Sequence, residues 1–134
     1  MAQLGDTIIK GDLNVTGDLN VFGNSNIYGG IDILYNTEVQ LTSSGVAISL
    51  SKNPFNYNMI LVRLRTGYNY AGSWIICNGD YGRNNTFSIY DNGTGEDRVF
   101  IQGISTTSMT IKTLDAVSAH GTWVKSVWGL FPIA

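Results

Sequence analysis

Five carboxylates fall where a reaction could use them: Asp80, Asp91, Glu96, Asp97 and Asp115. A glycosidase needs two such groups facing each other across a cleft. All five lie in or beside turn-forming segments, where solvated Asp and Glu are ordinary, so they are read as non-catalytic. His120 is the only histidine and Cys77 the only cysteine. One of each, with Cys77 inside a strand, cannot supply a zinc set of the required spacing. Cys77 lies in the apolar run SWIICN and reads as a buried structural thiol, because a reactive cysteine needs a partner that lowers its pKa. The stretch DNGTGED offers Asp91, Asn92 and Asp97 in the manner of a calcium loop. It lacks the terminal bidentate Glu, and a hairpin turn is the better reading. No metal, no cofactor and no enzymatic activity are expected.

The elements that must position these groups are strands. The chain has 134 residues, with 16 glycines and only two prolines. That length allows one compact domain and a small extension. Eight alternating or apolar runs occupy the chain after residue 30: IDILY, VAISLS, YNMILVRLR, SWIICN, TFSIY, RVFIQGI, SMTIKTL and WVKSVWGLF. Turn signals separate them at SSG, NPFN, TGYNYAG, NGDYGRNN, DNGTG and AHG. Residues 31–134 are therefore expected to form an antiparallel β-sandwich or barrel. Ile48, Leu50, Ile60, Val62 and Leu64 are its inward candidates. The formal net charge is −2, with eight scattered basic residues. That gives no electrostatic case for nucleic acid. No stretch reaches the length of a membrane span, so no membrane insertion is expected. The start of the chain carries no secretory signal pattern, and synthesis in a cytoplasm is expected.

Residues 1–30 follow a different rule. Glycine stands at 5, 11, 17, 23 and 29, and the hexads read GDTIIK, GDLNVT, GDLNVF and GNSNIY. Ile9, Val15, Val21 and Ile27 take the fifth place; Leu13 and Leu19 take the third in the middle hexads. Third and fifth places share one face of a strand. Each hexad is thus a short strand with an apolar face and a Gly-Asp or Gly-Asn corner. A single-chain prism uses three hexads per turn, so four hexads make little more than one turn. About three stacked repeat units are needed to bury a solenoid core. Three chains, each forming one wall, remove the shortfall. The expectation is an intertwined homotrimeric β-prism neck, with Ile9, Leu13, Val15, Leu19, Val21 and Ile27 on its axis.

A GDLNV-type hexad neck, a double glycine and a β-rich head of about a hundred residues resemble the receptor-binding proteins of tailed bacteriophages that infect Gram-positive bacteria. The head opening IDILYNTEVQLTSSGVAISLSKNPFNYNMILVRLR is similar to a pattern found in such tail proteins. The resemblance implies a homotrimer at the virion's tail tip or baseplate. It also implies contact with other baseplate or tail proteins and a head that binds host cell-wall polysaccharide. The alternative reading is a structural or adaptor tail protein whose head binds another virion protein.

Saccharide recognition needs an aromatic face for the sugar's C–H groups and planar polar groups for its hydroxyls, carried on loops. TGYNYAGSW supplies Tyr68, Tyr70 and Trp74. NGDYGRNN supplies Asp80, Tyr81, Arg83 and Asn84 in a loop too polar to be core. SAHGTW adds His120 and Trp123. Trp74, inside an apolar strand, reads as core or interface, as does Trp128; Trp123 is open to either role. The candidate saccharide set is Asp80, Tyr81, Arg83, Asn84, Tyr68, Tyr70, His120 and Trp123.

Overall fold

The computed structural model describes residues 8–18, 20, 30–67, 69–83, 85–90, 96–114 and 121–133. The fold is all-β. Among the described residues nine strands follow one another: β1 (Ile31–Tyr35), β2 (Val39–Gln40), β3 (Val46–Ser49), β4 (Tyr57–Thr66), β5 (Ala71–Cys77), β6 (Asn85–Tyr90), β7 (Glu96–Ile104), β8 (Ser108–Thr113) and β9 (Thr122–Pro132). They form two antiparallel sheets. One runs β1-β9-β4-β5, with β2 also on β9; the other runs β3-β8-β7-β6. The eight apolar runs all become strands. The two-residue β2 is the addition, too short to leave a period in the sequence. No helix among the described residues is long and apolar enough to cross a membrane.

The two sheets share one hydrophobic core. Alternation builds it: Ile60, Val62 and Leu64 of β4 point in, and Val99 with Ile101, and Met109 with Ile111, do the same from the other sheet, all at most 2% exposed. Burying each such side chain contributes about 2 kcal/mol. Ile48, Leu50 and Trp74 are also core, as expected. Trp74 stacks on Phe87 at 5.6 Å between ring centroids, which joins β5 to β6. Cys77 corrects the sequence reading: its side chain is exposed. It follows Trp74 and Ile76, which point inward, so the two-residue period turns it outward despite its apolar neighbours.

Strand β9 breaks the alternation once. Arg63 pairs with Ser126 while Leu64 pairs with Val124, so Lys125 is an extra residue in the ladder. Such a bulge resets which face each side chain takes. Val124 and Val127 both point into the core. Trp123 and Trp128, which strict alternation would place on opposite faces, both lie on the outer face.

Tyr57 ties three strands together. Gly129 of β9 lies between Asp32 of β1 and Ile60 of β4 in the ladders. A Cβ at Gly129 would stand 2.7 Å from the Tyr57 ring. The bare backbone lets the ring pass over β9, so that Tyr57 Oη donates to Asp32 Oδ2 at 2.7 Å. Lys52 Nζ donates to Asp32 Oδ1 at 2.8 Å. The Lys52 and Tyr57 hydrogen bonds hold the Asp32 carboxyl below its usual range. Burial, then the Asp32 bond and charge, push the Tyr57 hydroxyl up to about 12.

Residues 8–18 form no strand in the single chain, and Ile8, Ile9, Leu13 and Val15 are exposed. Leu19, Val21 and Ile27 lie outside the described residues.

Two outcomes follow from the Tyr57 arrangement. Gly129→Ala should destabilise the head by about 1–3 kcal/mol through overpacking, read as a lower urea midpoint. Because the Asp32 pKa is lowered on folding, its stabilising effect is present above about pH 4 and lost as pH falls through the folded value. Asp32→Asn should flatten that acid limb of the stability profile.

Candidate functional site

The strands run between two ends of the head, and the expected site residues divide between them. β4 has ten residues and so spans about 30 Å. At one end the chain enters at Gly30, whose carbonyl accepts from Phe131 N at 2.8 Å. The turns Pro54–Asn56 and Asn78–Asp80 lie at this same entry end. Ile133 N donates to Asn56 O at 2.8 Å, and Asn78 Nδ2 donates to the carbonyls of Phe55 and Tyr57 at 3.0 and 2.8 Å. The opposite, far end carries the β4–β5 turn and the start of β9. There Gly67 N donates to Gly121 O at 3.0 Å.

The NGDYGRNN loop is at the entry end, and its polar groups are largely engaged with one another. Asn85 Nδ2 donates to the carbonyls of Asp80 and Arg83 at 2.8 and 3.0 Å. Arg83 Nε stands 3.3 Å from Asp80 Oδ1, with both side chains well exposed. Such a surface pair contributes roughly 0–1 kcal/mol. Tyr81 corrects the sequence reading of this loop as too polar for core. Its side chain is 2% exposed and meets Phe55 edge-on at 5.4 Å. Burial, with a smaller contribution from Cys77, pushes its hydroxyl above the ordinary tyrosine range. Here a turn that is polar in sequence folds one aromatic ring back beneath itself. Asn84 lies outside the described residues.

The far end gathers a different set. Trp123 of β9 sits between Gln40 of β2 and Arg65 of β4 in the ladders. The Arg65 guanidinium carbon lies 4.2 Å from the Trp123 ring centroid. Arg65 Nε donates to Glu38 Oε1, and Arg65 Nη1 donates to Thr66 O at 3.2 Å. Gly121 has φ +78°, and a Cβ there would stand 2.5 Å from Gln40 Nε2 and 2.9 Å from Trp123 Cη2. A glycine at this position therefore both makes the turn and leaves room for the indole. Tyr70, 40% exposed, is in the turn at the same end. Its amide donates to Thr66 Oγ1 at 3.3 Å. Tyr68 and His120 lie outside the described residues.

This arrangement presents an indole beside a guanidinium, a carboxylate and a carboxamide. Arg supplies donors only, Glu acceptors only, and Gln both. Arg65 already covers one face of the indole and pairs with Glu38, so a polyhydroxylated ligand would meet the indole's open edge, the Gln40 amide and the N–H groups and oxygens that this pair leaves over. Three of the four, Arg65, Glu38 and Gln40, were not singled out in the sequence. Glu38 and Arg65 are 27 residues apart and meet only through strand pairing. The one available signal was Arg63 and Arg65 at alternate places in an otherwise apolar strand.

Beneath the cluster, Thr122 Oγ1 donates to Asp97 Oδ2 at 2.8 Å in the interior, joining β9 to β7 across the sheets. Asp97 is 6% exposed. Asp80 is at the entry end and Asp97 at the far end, so these two carboxylates do not face each other. Asp91 and Asp115 lie outside the described residues, as does the Glu96 side chain. No group of three metal-ligating side chains occurs among the described residues. No protein-family model, curated protein or solved structure matches the chain.

Thr122→Val keeps the shape and removes the donor. It should leave Asp97 buried without this bond and cost about 1–3 kcal/mol, seen as a lower midpoint in chemical denaturation.

Proposed function

We propose that this protein is a homotrimeric receptor-binding protein of a tailed bacteriophage, which attaches the virion to saccharide on the host cell surface. The observation that carries the reading is the Trp123–Arg65–Glu38–Gln40 cluster, at the end of the head opposite the chain's entry at Gly30. A neck that joins the virion at the Gly30 side would present this cluster to the cell. Two features support the neck itself. The hexads place apolar residues at fixed positions, and Ile9, Leu13 and Val15 are exposed in the single chain. A three-chain prism would cover them, whereas water leaves the stripe unfavourably hydrated.

The division of labour within the candidate set then follows from placement. Trp123 and Tyr70, with Arg65, Glu38 and Gln40, form the saccharide site; Tyr68 and His120 adjoin it along the chain. Asp80 and Arg83 face the virion side and stand apart from the receptor. A single shallow site of this kind binds weakly. Three copies per protein, repeated around a tail tip, raise the effective affinity by a factor of about 10²–10⁴. The reading needs no catalytic step, because attachment requires only binding.

The test is adsorption of the purified full chain to polysaccharide from Gram-positive cell walls. Trp123→Ala and Arg65→Ala should each weaken binding about tenfold or more, the loss of roughly 1.4 kcal/mol per site. Asp80→Ala with Arg83→Ala should stay within about twofold. Binding lost only with the Asp80 and Arg83 pair would move the site to the entry end. Failure to bind any saccharide, with capture of a tail protein instead, would favour the adaptor reading.

A further inference from the structure

The outer faces of the two sheets differ in chemistry. Across the β3-β8-β7-β6 sheet the outward residues are mostly polar or small: Ser49 pairs with Ser108, Ala47 with Thr110 and Ser88 with Arg98. Among the described side chains of this face the large apolar one is Phe100, which lies beneath Lys112, whose ammonium is 5.4 Å from the ring centroid. This face suits water. The β1-β9-β4-β5 sheet does not follow that pattern over the half nearest Gly30. One cross-strand row reads Ile33, Trp128, Leu61, Ile75. The next row toward Gly30 reads Ile31, Leu130, Met59, Cys77. Neither row has a charged member, although the Arg63 guanidinium of the next row lies 5.3 Å from the Trp128 ring centroid. Ile31, Ile33 and Ile75 are 55–56% exposed. The row on the other side begins the polar half, with Ser126, Arg63 and Ser73 side by side.

An apolar lattice two rows deep and four strands wide marks an interaction surface, whereas scattered single apolar residues would not. Its position indicates its occupant. The patch begins at Ile31, one residue from where the hexad segment enters, and it fades toward the far end. Residues Ile9, Leu13 and Val15 of that segment are exposed too, so two parts of one chain leave apolar surface uncovered. Chains joined along the hexads bring their Ile31 edges toward one axis. Geometry allows three. Strands in a sheet lie about 4.8 Å apart and packed sheets about 10 Å apart. Three four-stranded faces closed into a triangle stand roughly 5 Å from their common axis, half the separation of packed sheets, so the outward side chains fill the centre.

We infer that the entry-side half of the outer face of the β1-β9-β4-β5 sheet is the head-to-head interface, covered by two further copies of this chain. The inference rests on the trimer of the proposed function and adds where the heads touch. For the Trp123 end to stay open, the three faces must diverge beyond the Ser126–Arg63–Ser73 row, so that one sheet face serves assembly at one half and recognition at the other.

Cys77 is a built-in reporter, since it is the chain's only cysteine and closes one corner of the patch. The native full chain and an Ile33→Asp/Ile75→Asp variant would be compared for mass by light scattering and for reaction with a water-soluble maleimide. Both substituted side chains are more than half exposed, so the fold should survive, as circular dichroism can check. The expected result is a trimeric native chain whose Cys77 reacts at least about tenfold more slowly than in the variant, because access governs thiol reaction as thiolate character does. A native trimer whose Cys77 reacts as fast as the variant's would overturn the interface and leave the trimer standing. Equal protection in native chain and variant would overturn it as well. A monomeric native chain would overturn both the interface and the trimer.

Discussion

The structure depends on the ladder of β9. This strand holds β4 along one edge and both β1 and β2 along the other. Its single extra residue at Lys125 decides what each half of the strand does. Without the bulge, Val124 and Val127 could not both enter the core, and one of the two tryptophans would have to be buried in place of a valine. With it, the interior keeps two small β-branched residues that fill the space between sheets, and both indoles move to the outer face. Each then takes a neighbouring arginine of β4: Arg65 over Trp123 and Arg63 over Trp128. A cation over an indole contributes about 0.5–1 kcal/mol at an exposed site. The two contacts also hold long side chains flat on the sheet.

That flat outer surface is where the two functional readings meet. Near Gly30 it is apolar, and Tyr57 braces it from within by reaching across Gly129 to Asp32. Toward the far end it becomes a mixture of indole, guanidinium, carboxylate and amide. The Thr122–Asp97 bond anchors this end to the opposite sheet. In the proposed reading, this two-sheet body carries assembly on one half of the face and recognition on the other, along the same strands.

The entry-side loop shows why residue type alone is a weak guide to a site. NGDYGRNN is rich in groups that could hold a sugar. Asn78 and Asn85 instead satisfy backbone carbonyls that the tight turns leave open, Asp80 and Arg83 pair with each other, and Tyr81 fills the core under Phe55. Backbone groups at a turn need partners, and short amide side chains are the nearest available. The amide groups of Asn78 and Asn85 thus serve the turn.

Strand positions were legible in the sequence because burial repeats every two residues, and Ile60, Val62 and Leu64 record that directly. The turns were legible because glycine, asparagine and aspartate mark them. The hexads announced a repeat too short to bury itself. Local order could not reveal the bulge at Lys125, the outward turn of Cys77 or the inward turn of Tyr81, since each depends on register against a partner strand or on a loop folding back. The Glu38–Arg65–Trp123–Gln40 cluster belongs to the same class. Gln40, Trp123 and Arg65 come from three strands and Glu38 from the residue before β2, and only the antiparallel ladders of β2, β9 and β4 bring them together. The sequence by itself determined which segments are strands and which way most side chains face, because those are properties of one strand. The tertiary structure alone decided which side chains stand next to one another, because adjacency across strands is set by pairing, and pairing is a property of the whole sheet.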